Sequence, residues 1–325
     1  MKVLLTGATG FVGAEIAKQL GQAGHSMRRL VRAGRPRRET PASGSEFQPG
    51  DVTEAASLKG ACDGIQAVIH LVGIISEVGG QTFEKVHAQG TKNLLAEAQR
   101  AGVRRFVQMS ALGTRPNAPS RYHQSKWAAE ESVRGSGLDY TIFRPSLIYG
   151  PRDHFVNLFA KIIRLSPIVP VVGNPRALFQ PVAVEAVAAA FVRSLSEAQA
   201  GGKTFDLCGP ERFTMPAMID QILKVMARKR LKLRVPRWVA RGQAAFLEFA
   251  FSALLRRAPP LNRDQLIMLE EDNIGNPEPA NQVFGLKHPR FQEGIGYLLT
   301  VLAVLTVLTF SVPPYTSMPY ALILL

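Results

Sequence analysis

The sequence predicts an α/β protein built on a doubly wound parallel sheet, and three observations carry the prediction. An apolar run, Val3–Leu5, leads into a turn with Gly7, Gly10 and Gly13 and then into a helical pattern with Val12, Ile16 and Leu20 on one face. Further short apolar runs follow, Ala67–Gly73 and Arg105–Gly113, with a helical stretch at residues 84–102 between them. Strands that alternate with helices imply parallel pairing, because each crossover helix must lie on a face of the sheet.

The first turn is where function becomes legible. Glycines between a strand and a helix let the backbone approach a pyrophosphate, and the helix start offers free N–H groups and a positive dipole end. The second strand reads SMRRLVR. An acid about 20 residues beyond the glycines would accept a ribose diol. Here Arg32 stands there and Arg35 follows. Cations suit a 2′-phosphate, so NADP(H) is expected over NAD(H). Asp51, in PGDVTE, is either an adenine contact or a turn cap.

The stretch RYHQSKWAAE places Tyr122 four residues before Lys126 and so on one helix face. An ammonium beside a phenol is expected to favour the phenolate and ready it for proton transfer with a carbonyl or alcohol.

Composition narrows the classes. The chain has 325 residues, 46% hydrophobic and 20% charged, which supports a full core rather than disorder. Net charge is +14, with six arginines between Arg28 and Arg38 and a second basic spread from Lys224 to Arg241. No nucleic-acid motif accompanies the charge, so phosphate-bearing ligands and anionic membranes are the expected partners. Cys62 and Cys208 form no metal or CxxC pattern, so no metal and a reducing compartment are expected. The opening apolar run is too short for a signal peptide.

In the C-terminal half, DHFVNLFAKIIRL reads as the first helix of a cap, KTFDLCGP as a returning strand with Cys208 a buried small residue, and TMPAMIDQILKVMARK as a helix with a basic end. The bulky stripe of VPRWVARGQAAFLEFAF is expected in the core, with an apolar substrate groove as the alternative. After Glu293 no charged residue occurs, and Ile295–Val312 is an 18-residue apolar run. As a helix it would rise about 27 Å against a hydrocarbon core of about 30 Å. Lys287, His288 and Arg290 precede it, which would keep the folded part on the cytoplasmic side of a membrane such as the bacterial inner membrane. The alternatives are packing into the fold and a cytoplasmic protein.

Taken together, TGATGFVG (Thr6–Gly13), Asp51-Val52, HLVG (His70–Gly73), the Tyr122/Lys126 pair, RPSLIYGPRD (Arg144–Asp153) and FQPVAVEAVAAA (Phe179–Ala190) resemble the extended or atypical short-chain dehydrogenase/reductases, also described as epimerase/dehydratase-like. Ser120–Val133, Arg144–Arg164 and Pro259–Asn273 resemble the group around the nucleotide-binding accessory subunit of mitochondrial complex I. The resemblance implies a Rossmann domain at 1–150, a cap with strands returning to the sheet at 151–292, and a hydrophobic tail at 293–325. It implies that Gly7, Thr9, Gly10, Phe11, Val12, Gly13, Asp51, Val52, Leu71, Val72, Gly73, Lys126 and Pro145 line the cofactor, with Tyr122 and Lys126 catalytic. The family's third catalytic hydroxyl falls at Ala111, leaving Ser110 or Thr114 as stand-ins, and its usual helix Asn is His87.

Two readings follow: an NADPH-dependent reductase of an apolar carbonyl, or a non-catalytic NADP(H)-binding subunit docked on a respiratory membrane complex. A nucleotide-sugar epimerase or dehydratase is a third. Membrane lipid, reached through the tail, is a further expected partner. If Arg32 meets a 2′-phosphate, Arg32→Ala should weaken NADPH binding about tenfold or more, as a charge-assisted contact of about 1.5–3 kcal/mol implies, and leave NADH binding unchanged in a calorimetric titration.

Overall fold

The structure, a computed structural model, describes residues 1–32, 45–255 and 257–299. Seven parallel strands form the central sheet: β1 (Lys2–Thr6), β2 (Ser26–Val31), β3 (Ser45–Pro49), β4 (Ala67–His70), β5 (Arg105–Met109), β6 (Asp139–Pro145) and β7 (Lys203–Leu207). Their spatial order is β7-β6-β5-β4-β1-β2-β3. The order reverses between β1 and β4, where Val3 pairs with both Met27 and Ala67. That switch point opens a crevice at the carboxyl ends of the strands.

The helices are α1 (Phe11–Gln22), α2 (Gly90–Arg100), α3 (Arg121–Arg134), α4 (Phe155–Leu165), α5 (Val184–Arg193), α6 (Met215–Val225), α7 (Arg237–Glu248), α8 (Arg263–Met268), α9 (Glu278–Phe284) and α10 (Phe291–Gly294). Strands buried on both faces need continuous apolar runs, and Val3, Leu4 and Leu5 are all fully buried. Leu5, Ile16, Phe143, Phe191, Phe205 and Phe284 make the core under α1, α5 and α9. Leu4, Leu58, Leu94, Phe106 and Val133 make the core under α2 and α3. A third core, of Tyr149, Phe159, Met218, Ile222, Phe291, Ile295 and Leu298, joins α4, α6 and α10.

Two expectations meet the structure here. The apolar run at 295–312 begins inside the fold: Ile295 and Leu298 are fully buried. A Cβ at Gly294 would lie 2.4 Å from the Tyr149 hydroxyl, so this corner is tightly packed. Residues 300–312 of the run, like Arg35, lie outside the described residues. Among the described residues no helix is long and apolar enough to cross a membrane. The second difference concerns α7, whose bulky stripe was expected in the core. The helix instead buries only Ala240, Ala244 and Leu247, against Leu266, and turns Trp238 and Phe246 to solvent. Small residues on the inner face let α7 sit close to α8, which leaves no room for the large ones.

Both cysteines are free and buried, and burial pushes each thiol up to about 12. Neither is a nucleophile at neutral pH. The Phe143 ring lies 4.7 Å from that of Phe191 and 5.4 Å from that of Phe284. Truncating Phe143 to Ala at this junction should destabilise the fold by about 3–5 kcal/mol, measured as a lower denaturant midpoint.

Candidate active site

The β1 turn is built as the glycines predict. Gly7 has φ +73°, and a Cβ there would meet the Leu71 backbone at 3.3 Å. A Cβ at Gly13 would lie 2.2 Å from the Gly7 carbonyl oxygen, so only glycine lets α1 start against the turn. Thr9 and Gly10 are exposed at the mouth, Phe11 is half-buried and Val12 is buried. The N-cap Gly10 offers no side-chain hydrogen bond and the first turn holds no acid. The first N–H groups of α1 are thus left for an anion, and the cradle fits a dinucleotide pyrophosphate.

Around that cradle the predicted residues take different parts. Arg32 is exposed just past the carboxyl end of β2. Arg28 of the same basic cluster is structural: it pairs with Glu46 and donates to the carbonyls of Ala61 and Asp63. Asp51 Oδ1 accepts from the N–H and hydroxyl of Thr53 at 2.9 Å and so caps its own turn. Val52 is buried against Gly90, and its carbonyl accepts from Asn93. Leu71 is buried, Val72 half-buried and Gly73 open to the crevice. Pro145 is buried at the end of β6, its carbonyl accepting from Leu112.

The dyad lies on α3 beneath Gly73. Lys126 is 2% exposed and donates to the Met109 carbonyl at 3.1 Å. Its Nζ stands 5.9 Å from the Tyr122 ring centre. A Cβ at Gly73 would lie 3.1 Å from that Nζ and 3.4 Å from His87 Nε2, so an absent side chain keeps the lysine reachable from the crevice. Desolvation lowers Lys126 to about 8. Desolvation, then the charge of Asp264, raises Tyr122 to about 12. This corrects the expectation that the lysine makes the tyrosine more acidic: burial outweighs a cation 5.9 Å from the ring centre. The phenol is a proton donor across the ordinary pH range.

His87 lies beside the dyad. It comes from a π-helical turn, Glu84–Gln89, that leads into α2. The Ile74 N–H donates to its Nε2 at 2.9 Å, so Nδ1 carries the proton and faces Ser125 Oγ at 2.8 Å. Ser125 in turn donates to the Tyr122 carbonyl at 2.7 Å. Burial and the Lys126 charge push His87 down to about 2, so it stays neutral. Its ring stands edge-on to Tyr122 at 5.4 Å, with Phe83 at 5.9 Å from the same phenol. Ser110 and Thr114 are buried and face each other, hydroxyl to hydroxyl at 3.4 Å, while Ala111 presents a methyl group.

Asp264 had no signal near the motif, being 142 residues from Tyr122 in the chain. Its carboxylate accepts from the N–H groups of Arg121 (2.8 Å) and Tyr122 (3.1 Å), while Ser120 Oγ accepts from His123 N–H. Asn262, beside it, donates to Ser76 Oγ and to the Ile75 carbonyl. A cavity of about 550 Å³ opens here, lined by Phe83, Pro119, Arg121, Pro259 and Ile267 among others.

Residues 7–156 match the NAD(P)H-binding family. The chain belongs to the short-chain dehydrogenase/reductases of the epimerase/dehydratase-like kind. Within that class it falls with the complex I accessory subunit and its bacterial relatives. It is 30% identical over 286 residues to the mitochondrial NADH dehydrogenase 1 alpha subcomplex subunit 9 of Arabidopsis thaliana, covering 82% of this chain and 67% of that one. It is 35% identical over 173 residues to a ceramide reductase of Caulobacter vibrioides, covering 53% of this chain and 54% of that one. In fold it matches the UDP-glucose 4-epimerase of Thermotoga maritima with a TM-score of 0.73 at 17% identity, covering 94% of this chain and all of that one.

Asp264→Ala would leave two N–H donors at the start of α3 without a partner. The loss should be about 1–3 kcal/mol in chemical denaturation, and the spectrophotometric titration of Tyr122 should move to lower pH as the carboxylate charge is removed.

Proposed function

We propose that this protein is an NADP(H)-dependent reductase of an apolar carbonyl substrate, working at the cytoplasmic face of a membrane. The observation that carries the reading is the dyad itself. Tyr122 keeps its proton, Lys126 lies next to it with its charge poised near pH 8, and Gly73 leaves the lysine open to the cofactor crevice. The reduced nicotinamide, when bound, supplies the hydride to the carbonyl carbon. Tyr122 gives its proton to the carbonyl oxygen, and Lys126 in its charged form stabilises the phenolate left behind until solvent restores the proton. His87 and Ser125 hold the α3 backbone at Tyr122 in place. The cavity beside the dyad pairs apolar walls, Phe83, Pro119, Pro259 and Ile267, with the charged Glu77, Arg121, Glu248, Arg263 and Asp264, so it offers an apolar body a charged rim; the similarity to a ceramide reductase supports a lipid-like substrate of that kind. The preference for NADP(H) rests on Arg32 at the ribose end of β2.

A second reading has its own support. With Ala111 at the hydroxyl position and Ser110 and Thr114 turned to each other, the substrate oxygen lacks the family's second donor. A protein that only holds NADP(H) within a respiratory membrane complex, where it is stabilised by mass action, would tolerate that, and the similarity to a complex I subunit favours it.

Turnover separates the two. Purified protein with NADPH should reduce members of a panel of long-chain ketones and quinones. Tyr122→Phe should abolish that turnover with NADPH affinity nearly unchanged, whereas Lys126→Ala should weaken both. Because Lys126 is charged below about pH 8 and neutral above it, the reductive kcat should be level at pH 6–7 and fall as pH rises past 8. A rate that rises with pH through that window, or the absence of turnover together with stoichiometric co-purification of a respiratory complex, would favour the second reading.

A further inference from the structure

We infer that the outer face of α7 is a docking surface for an anionic lipid bilayer. The inference stands apart from the chemistry proposed above and from the apolar run at 295–312. It begins with an inversion: on most surface helices the solvent side is polar. On α7 the solvent side carries Trp238 at 78% exposure and Phe246 at 65%, and Phe249 at 64% continues it into the next turn. These residues follow one another at i, i+8 and i+11, so they share a face, with Arg241, Gly242 and Ala245 between them. The strand Leu231–Arg234 that leads into the helix adds Leu231 and Leu233, both more than half exposed.

Charge names the occupant. From Gln221 to Asn262 the sequence holds ten lysines and arginines and a single acid, Glu248. That acid is already paired with Arg263. Arg234 and Arg241, which flank the aromatic face, have no acidic partner among the described residues. An apolar face rimmed by unneutralised cations matches a surface that is apolar beneath and negative on top. Tryptophan favours the boundary between those layers, and arginine can keep its stem in the apolar layer and its head among phosphates. A soluble protein partner would have to supply a large acidic rim around an apolar centre; an anionic bilayer has that layering everywhere.

The test uses the full chain and two kinds of vesicle, phosphatidylcholine alone and phosphatidylcholine mixed with phosphatidylglycerol. The sequence has two tryptophans, so subtracting the emission of Trp238→Phe from that of the wild type isolates Trp238. Its emission should shift to the blue on the phosphatidylglycerol vesicles and not on the neutral ones, and added salt should reverse the shift. The variant carrying Phe246→Ser, Phe249→Ser and Arg241→Glu should lose about tenfold or more in vesicle affinity, with NADPH affinity and melting temperature held. Should that variant fold poorly, Arg241→Glu alone, on the open side of the helix, gives the same reading at smaller amplitude. Equal binding to both vesicles, binding that the variants leave unchanged, or no binding would overturn the inference. So would Trp238 emission that is already blue without lipid, which would mean that a second copy or the chain's own residues 300–325 cover the face.

Discussion

A lysine ammonium at 2% exposure is an expensive thing to fold around, and much of the site is arranged by that expense. Lowering Lys126 from 10.5 to about 8 corresponds to about 3 kcal/mol of penalty on the charged form. The Met109 carbonyl at the end of β5 offsets part of it. Two neighbouring histidines, His70 and His87, remain neutral, pressed down first by burial and then by the lysine. Neither adds a competing charge. By linkage, the unfolded chain binds the lysine proton more tightly between pH 8 and 10.5, so this group's drag on stability is full below pH 8 and fades as pH rises through that window. Tyr122 acts in the opposite sense: its contribution is present below pH 10 and is lost towards pH 12.

The segment at 262–275 ties down the loops around this site. Asn262 and Asp264 reach the loop after β4 and the start of α3. A few residues on, Asn273 takes up the hydroxyl of Ser146 through its side-chain oxygen at 2.6 Å, and its N–H donates to the Leu178 carbonyl at 2.7 Å. Gly275 packs against Asp206, and its N–H donates to Gln180. One strand of chain thus ties together the carboxyl ends of β4, β6 and β7, the edge at which an open α/β sheet keeps its ligands.

The fold was legible because its signals are local and repeated. Val3–Leu5, Gly7, Gly10 and Gly13 announce a strand, a turn and a helix within a dozen residues, and the structure places each where the pattern puts it. The spacing of Tyr122 and Lys126 was legible for the same reason. Their acidities were not, because burial is set by residues such as Phe83, His87 and Asp264 that no spacing rule connects to α3. Asp51 shows the limit of a motif: the spacing left a turn cap and a ligand both open, and the bond to Thr53 that makes the cap has no sequence signal. The outward stripe of α7 misled for a plainer reason. An apolar helix face has the same periodicity whether it meets a core or the outside, and the small residues Ala240 and Ala244 opposite it decide which.

The reach of Asp264 back to Tyr122 also bears on how the chain is made. Strands and helices of the nucleotide-binding half can form as soon as they are synthesised. The Asp264 part of the cap on α3 cannot, because that carboxylate lies 142 residues downstream of Tyr122, although Ser120 caps His123 locally. At about 5–20 residues per second, that is roughly 7–30 s during which the start of α3 holds two free N–H donors and the loop after β4 lacks its tie to Asn262. For that interval the nascent protein has a cofactor cradle but an unfinished pocket. Whatever enters the crevice first meets a half-built site, and arrival of residues 262–275 is what completes it.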